Sequence, residues 1–157
     1  MITTRKEACE LIANMLNTGI NLEGESLEKV IFAVNEDLQV RDWLIGIPGT
    51  WSLQEGIAFT QYMTANSTPE DAVPFIAIQA QFQYESGDTT KAKLLLNHAL
   101  QINSEYSLAM LLKRVMQAGW PASSFIPMRE QLHPKVVEEC YGEEGTKPIQ
   151  LMEEVNG

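Results

Sequence analysis

Residues 72–102 read AVPFIAIQAQFQYESGDTTKAKLLLNHALQI, and the fold turns on them. Val73, Ile76, Ala77, Ala80 and Tyr84 follow one helical stripe, and Phe75, Ile78 and Phe82 follow a second. A helix that is apolar on two sides is packed on two sides, so this one belongs at the centre of a domain. Pro74 fits if it lies in the first turn, where a missing N–H costs nothing, which places the N-cap near Asp71. Gly87-Asp88 then breaks the pattern. Asp88 caps a helix over 89–102, with Ala92, Leu95, Leu96, Ala99 and Ile102 as its stripe. Small Ala80, Ala92 and Ala99 let the two helices approach closely, and Gly87 takes the turn without Cβ strain. The segment predicts an antiparallel helical hairpin.

Upstream, Thr4 caps and Gly19 ends an amphipathic helix over 4–17. Ser26 opens a second, whose β-branched run Val30–Val34 competes as a strand; no partner strand is evident, which favours helix. Asp37 caps a third segment that Pro48-Gly49 ends. Thr50 or Ser52 opens a fourth helix over about 53–65, and Ser52-Leu53-Gln54-Glu55 has capping-box form. Downstream, Ser104 caps a helix over 105–118, closed by Gly119, Trp120 and Pro121. A short segment near 125–132 and a helix over 134–141, opened by Pro134 and ended by Gly142, complete the pattern. The expectation is an all-α, single-domain bundle of about six to eight helices over residues 1–142. A subdomain break is expected near 66–69, and an acidic, mobile tail over 143–157.

Composition bounds the function. The chain has 157 residues, 45% hydrophobic and 20% charged, with a net charge of −10. At this length about 69% of the unfolded surface is buried on folding, enough for one core. Residues 1–66 carry 4 basic and 9 acidic groups, residues 67–132 carry 5 and 6, and residues 133–157 carry 2 and 6. Such a chain is repelled by phosphate backbones and by anionic lipid, so neither nucleic acid nor membrane is an expected direct partner. No apolar run approaches the roughly 20 residues of a membrane span, and Glu7 and Glu10 interrupt any signal-type segment. Cys9 and Cys140 lie far apart without C-x-x-C spacing, which points to a reduced, cytoplasmic protein.

Motifs for chemistry are sparse. No glycine-rich phosphate loop, nucleophile elbow or zinc helix is present. His98 and His133 have no partner ligands at helical spacing, so no metal and no cofactor are expected. The acidic pairs Glu138-Glu139, Glu143-Glu144 and Glu153-Glu154 are sequence neighbours that point apart on a helix, and no catalytic residue is assigned. Arg41-Asp42 reads as structural: Asp42 favours the helix dipole, and Arg41 is placed to pair with a carboxylate of another helix. Gly87, Ala92, Ala99 and Gly119 read as structural small residues. Trp51, Trp120 and Phe125 stand at loop–helix junctions, where aromatic anchors serve partner contacts.

Two resemblances extend this reading. Residues 73–106, with Ala80, Gly87, Ala92 and Ala99, resemble a single tetratricopeptide-like helical hairpin. Residues 40–121 resemble the C-terminal helical half of the actinobacterial domain of unknown function 4192 family. Val40-Arg41-Asp42-Trp43-Leu44, Pro74-Phe75-Ile76-Ala77, Gly87-Asp88 with Ala92 and Ala99, Tyr106–Leu112 and Ala118-Gly119-Trp120-Pro121 carry that resemblance. It implies a helical domain and brings no activity. The expected function is a protein–protein interaction or self-association module, with a protein partner or a homodimer. The alternatives are an acidic inhibitor that mimics nucleic acid, or an enzyme of unknown chemistry.

Overall fold

The computed structural model describes residues 1–150. Residues 151–157, with the Glu153-Glu154 pair, lie outside the described residues. Eight α-helices, three short 3-10 turns and no strand make up the described chain. The protein is all-α, as its periodicity predicts. Two compact units divide it: residues 1–46 with the chain from 131 onward, and residues 47–130.

In the first unit, α1 (Arg5–Thr18) starts at Thr4, whose hydroxyl accepts from the Glu7 N–H at 3.0 Å, and ends at Gly19 with φ 74°. α2 (Gly24–Glu36) begins before the expected Ser26, at Glu23, with no side-chain cap bond. The Val30–Val34 run is helical, with Val30, Ala33 and Val34 buried. α3 (Leu38–Ile45) opens at Asp37, whose carboxylate accepts from the N–H groups of Gln39 and Val40 at 2.9 and 3.1 Å. It stops at Gly46, and Pro48 and Gly49 form a separate 3-10 turn, Ile47–Gly49. Ala8, Cys9, Ile12, Val30, Val40 and Leu44 are fully buried here, with Trp43 beside them in the core.

The segment expected as a tail is held where the structure describes it. A 3-10 turn spans Glu143–Thr146, Pro148 bridges Thr4, and the Ile149 N–H donates to the Thr3 carbonyl at 2.9 Å. Backbone groups make these bonds, so no side-chain periodicity announces them.

In the second unit, α4 (Leu53–Ala65) starts at Ser52, whose hydroxyl accepts from the Glu55 N–H at 3.0 Å. Residues 66–69, the expected break, join it to α5 (Pro69–Glu85) inside this unit. The cap of α5 is Thr68 rather than Asp71: the Thr68 hydroxyl accepts from the Asp71 N–H at 3.3 Å, and Pro69 takes the first helical position. Pro74 therefore lies beyond the first turn, inside the helix. Every residue from Ala72 to Tyr84 is buried, with α4 and α6 (Thr89–Ile102) packed against α5. Gly56 of α4 makes room for this: a Cβ there would stand 2.8 Å from the Phe82 ring.

The α5–α6 turn is closed by two adjacent residues. Gly87 has φ 94°, and the Asp88 N–H donates to the Gln83 carbonyl at 2.9 Å. The Asp88 carboxylate then accepts from the Lys91 N–H at 3.0 Å. One residue thus finishes one helix and starts the next. Ala92, Leu96 and Ala99 are the buried residues of α6.

α7 (Ser107–Gln117) starts later than Ser104 predicts. The Asn103 side chain accepts from the Glu105 N–H at 3.1 Å and folds 103–106 into a turn first. Its end is as expected: Gly119 has φ 73°, its N–H reaches the Met116 carbonyl, and the Trp120 N–H reaches that of Val115. A 3-10 turn, Ala122–Ser124, leads into α8 (Phe125–Tyr141). This is one continuous helix across the two segments expected from Pro134, which lies inside it. Its missing N–H removes one helical hydrogen bond without stopping the helix.

Candidate functional site

The α6–α7 pair carries a groove of about 290 Å³ lined by Lys93, Leu96, Asn97, Lys113, Met116 and Gln117. Each helix supplies the same pattern at i, i+3 and i+4: a lysine, a buried apolar residue and an amide. These positions are neighbours on a helix surface. Leu96 and Met116 form an apolar floor, and the lysines and amides are exposed above it. Neither Lys93 nor Lys113 forms an ion pair among the described residues. Met110, 37% exposed, stands one turn before Lys113 on the same row, and Leu94 and Leu111 of these helices are more exposed still.

The groove was hidden by averaging. Residues 67–132 are nearly neutral as a block, yet residues 89–121 alone hold Lys91, Lys93, Lys113 and Arg114 against one acid, Glu105. A window of one hairpin shows a basic island in a chain of net charge −10. The matching lysine–apolar–amide spacing was legible too, once both helices were known to face one groove.

The three aromatic candidates part company. Phe125 is buried and meets the Tyr84 ring edge to face, with centroids 6.0 Å apart. Trp120 is 46% exposed, while its carbonyl accepts from the Tyr84 hydroxyl. Tyr84 thus brings Trp120 and Phe125 together. Trp51 is half-buried just before α4, its N–H bonded to the Ile47 carbonyl at 2.8 Å. Beside Tyr84, Glu85 pairs with Arg129 at 2.6 Å, with side chains 5% and 10% exposed, and Gln81 donates to the same carboxylate.

The residues read as structural lie as follows. Arg41 and Asp42 pair at 3.0 Å within α3. Gly87 and Gly119 take left-handed turns, and Ala92 and Ala99 are fully buried. His98 is exposed on α6. The His133 ring lies over Gly46, where a Cβ would stand 2.0 Å from Nδ1. Among the described residues no three His, Cys, Asp or Glu side chains gather as a metal site, and no helix is long and apolar enough to cross a membrane.

The first unit holds a second cluster. Arg5 donates to Asp37 at 2.9 Å and to Glu139 at 3.3 Å. Hydrogen bonding and charge from Asp37 hold its guanidinium above its ordinary range, although burial alone would lower it. One turn further along α1, Cys9 meets Cys140. The hydrogen bond to Cys140, and then burial, push the Cys9 thiol far up. Burial, followed by the neighbouring cysteines and Glu10, pushes Tyr141 up to about 12.

Comparison of the chain with protein-family models, with curated proteins and with solved structures returns no match.

Proposed function

We propose that this protein is a helical interaction module whose α6–α7 groove takes an acidic, partly apolar segment of a partner protein. The observation that carries this reading is the paired pattern Lys93/Leu96/Asn97 and Lys113/Met116/Gln117 along one groove. The apolar floor supports an aliphatic or aromatic side chain, and the unpaired ammonium groups support carboxylates on either side of it. The surrounding hairpin is basic in an acidic chain, so its field draws anionic segments to this face. Exposed Met110, Leu94 and Leu111 extend the apolar surface of the same two helices. A second copy of the chain is a self-association version of this reading, since residues 1–66 and 133–157 are the acidic parts.

A dye-labelled peptide of alternating Glu and Leu, followed by fluorescence anisotropy, tests the groove. Binding is expected to weaken as salt rises. Lys93→Glu with Lys113→Glu is expected to weaken it about tenfold, the equivalent of about 1.4 kcal/mol. Equal binding by wild type and the double variant would overturn the assignment of the groove. Sedimentation at rising protein concentration separates self-association from capture of another protein.

A further inference from the structure

Cys9 and Cys140 are far apart in sequence and adjacent in the first unit. Both are fully buried. Cys140 lies at the end of α8, with its Sγ 3.6 Å from the Gln39 carbonyl. One turn back on α1, Arg5 reaches Glu139, the residue before Cys140, at 3.3 Å. One turn further along α1, Cys9 lies within hydrogen-bonding reach of Cys140. The close seat of Gly145 on the Cys140 carbonyl, where a Cβ would stand 1.8 Å away, fixes the chain just after it.

We propose that Cys9 and Cys140 are a redox-modification site that closes as a reversible disulfide when the protein meets a peroxide. One cysteine thiolate attacks hydrogen peroxide, forming a sulfenic acid and releasing hydroxide, which becomes water on taking the thiol proton. The second sulfur then attacks the sulfenic sulfur, forming the S–S bond. The hydroxyl leaves with the second thiol proton as another water. Two thiols and one peroxide become one disulfide and two waters, the sulfurs being oxidised and the peroxide reduced. The hydrogen bond to Cys140 and burial keep the Cys9 thiol protonated at rest. The reaction therefore runs through brief opening of the segment 143–149 that pairs with Thr3 and Thr4.

The test treats the folded chain with hydrogen peroxide and reads intact mass, a peptide map and melting temperature. The expected result is loss of two hydrogens, a cross-link between the Cys9 and Cys140 peptides, and a melting temperature raised by about 5–15 °C. Dithiothreitol is expected to reverse all three. Gain of oxygen on separate cysteines, an intermolecular disulfide, or two thiols still free after treatment would each overturn the proposal. Cys9→Ser and Cys140→Ser guard against a fold artefact. Either variant is expected to lose the mass change and the temperature rise while keeping its helical circular dichroism.

Discussion

Taking away one charge of the Glu85–Arg129 pair strands the other where water barely reaches. The side chains are 5% and 10% exposed, so the attraction is little screened and the desolvation is already in place. Arg129→Met is expected to destabilise the protein by about 3–5 kcal/mol. Adding Glu85→Leu is expected to recover most of that loss, since it removes the stranded charge as well. Denaturant titration of the two single variants and the double variant closes the cycle, and additive losses would show that the pair is not coupled. Glu7 gives a milder effect. Its carboxylate accepts from Thr3 at 2.7 Å and from Lys29 at 3.2 Å, and its pKa is lowered, first by the Thr3 hydroxyl and then by Lys29. A lowered carboxylate supports the fold above its ordinary pKa and loses that support as pH falls through the lowered value. Glu7→Gln is therefore expected to flatten the drop in melting temperature between about pH 5 and pH 3. Because Glu7 is 43% exposed, the change is expected to stay below about 1 kcal/mol. An unchanged acid profile would show that Glu7 contributes nothing to it.

Among the elements, the α5–α6 hairpin tolerates least. Ala92 and Ala99 have no exposed surface, so a larger side chain must push the helices apart. Ala99→Trp is expected to cost about 1–3 kcal/mol or more in chemical denaturation, with an exposed control such as Gln101→Trp near neutral. Equal midpoints for the two would contradict the close packing. These elements were also the most legible ones. Ser52, Asp88 and Gly119 act where their chemistry placed them, because a cap or a left-handed turn is decided by a few adjacent residues. Proline misled twice for one reason. The pattern places Pro74 in a first turn and Pro134 at a helix start, yet each sits inside a helix whose other hydrogen bonds outweigh the one that is missing. Tertiary pairing left no local sign at all: nothing around Cys9 announces Cys140, and nothing in Lys147-Pro148-Ile149 announces Thr3.

On the scale of the whole molecule, the averages concealed the arrangement. Against a net charge of −10, the basic excess over residues 89–121 stands out. Reversing Lys93 and Lys113 tests that local contrast, because both changes fall within the groove itself. The all-helical class followed directly from periodicity. The division into residues 1–46 with 131 onward, and 47–130, did not, because it joins segments that no window along the sequence can compare.

That division sets an order of events during synthesis. Residues 47–130 are contiguous, and their helices can pair as soon as they leave the ribosome. α1 emerges before them and is completed after them: Arg5 waits for Glu139, Cys9 for Cys140, and Thr3 for Ile149. Until residues 139–149 are translated, the apolar face of α1 (Ala8, Cys9 and Ile12) lacks part of its cover. The nascent chain therefore exposes this sticky face while residues 19–138 are being made, the interval in which a chaperone would find it.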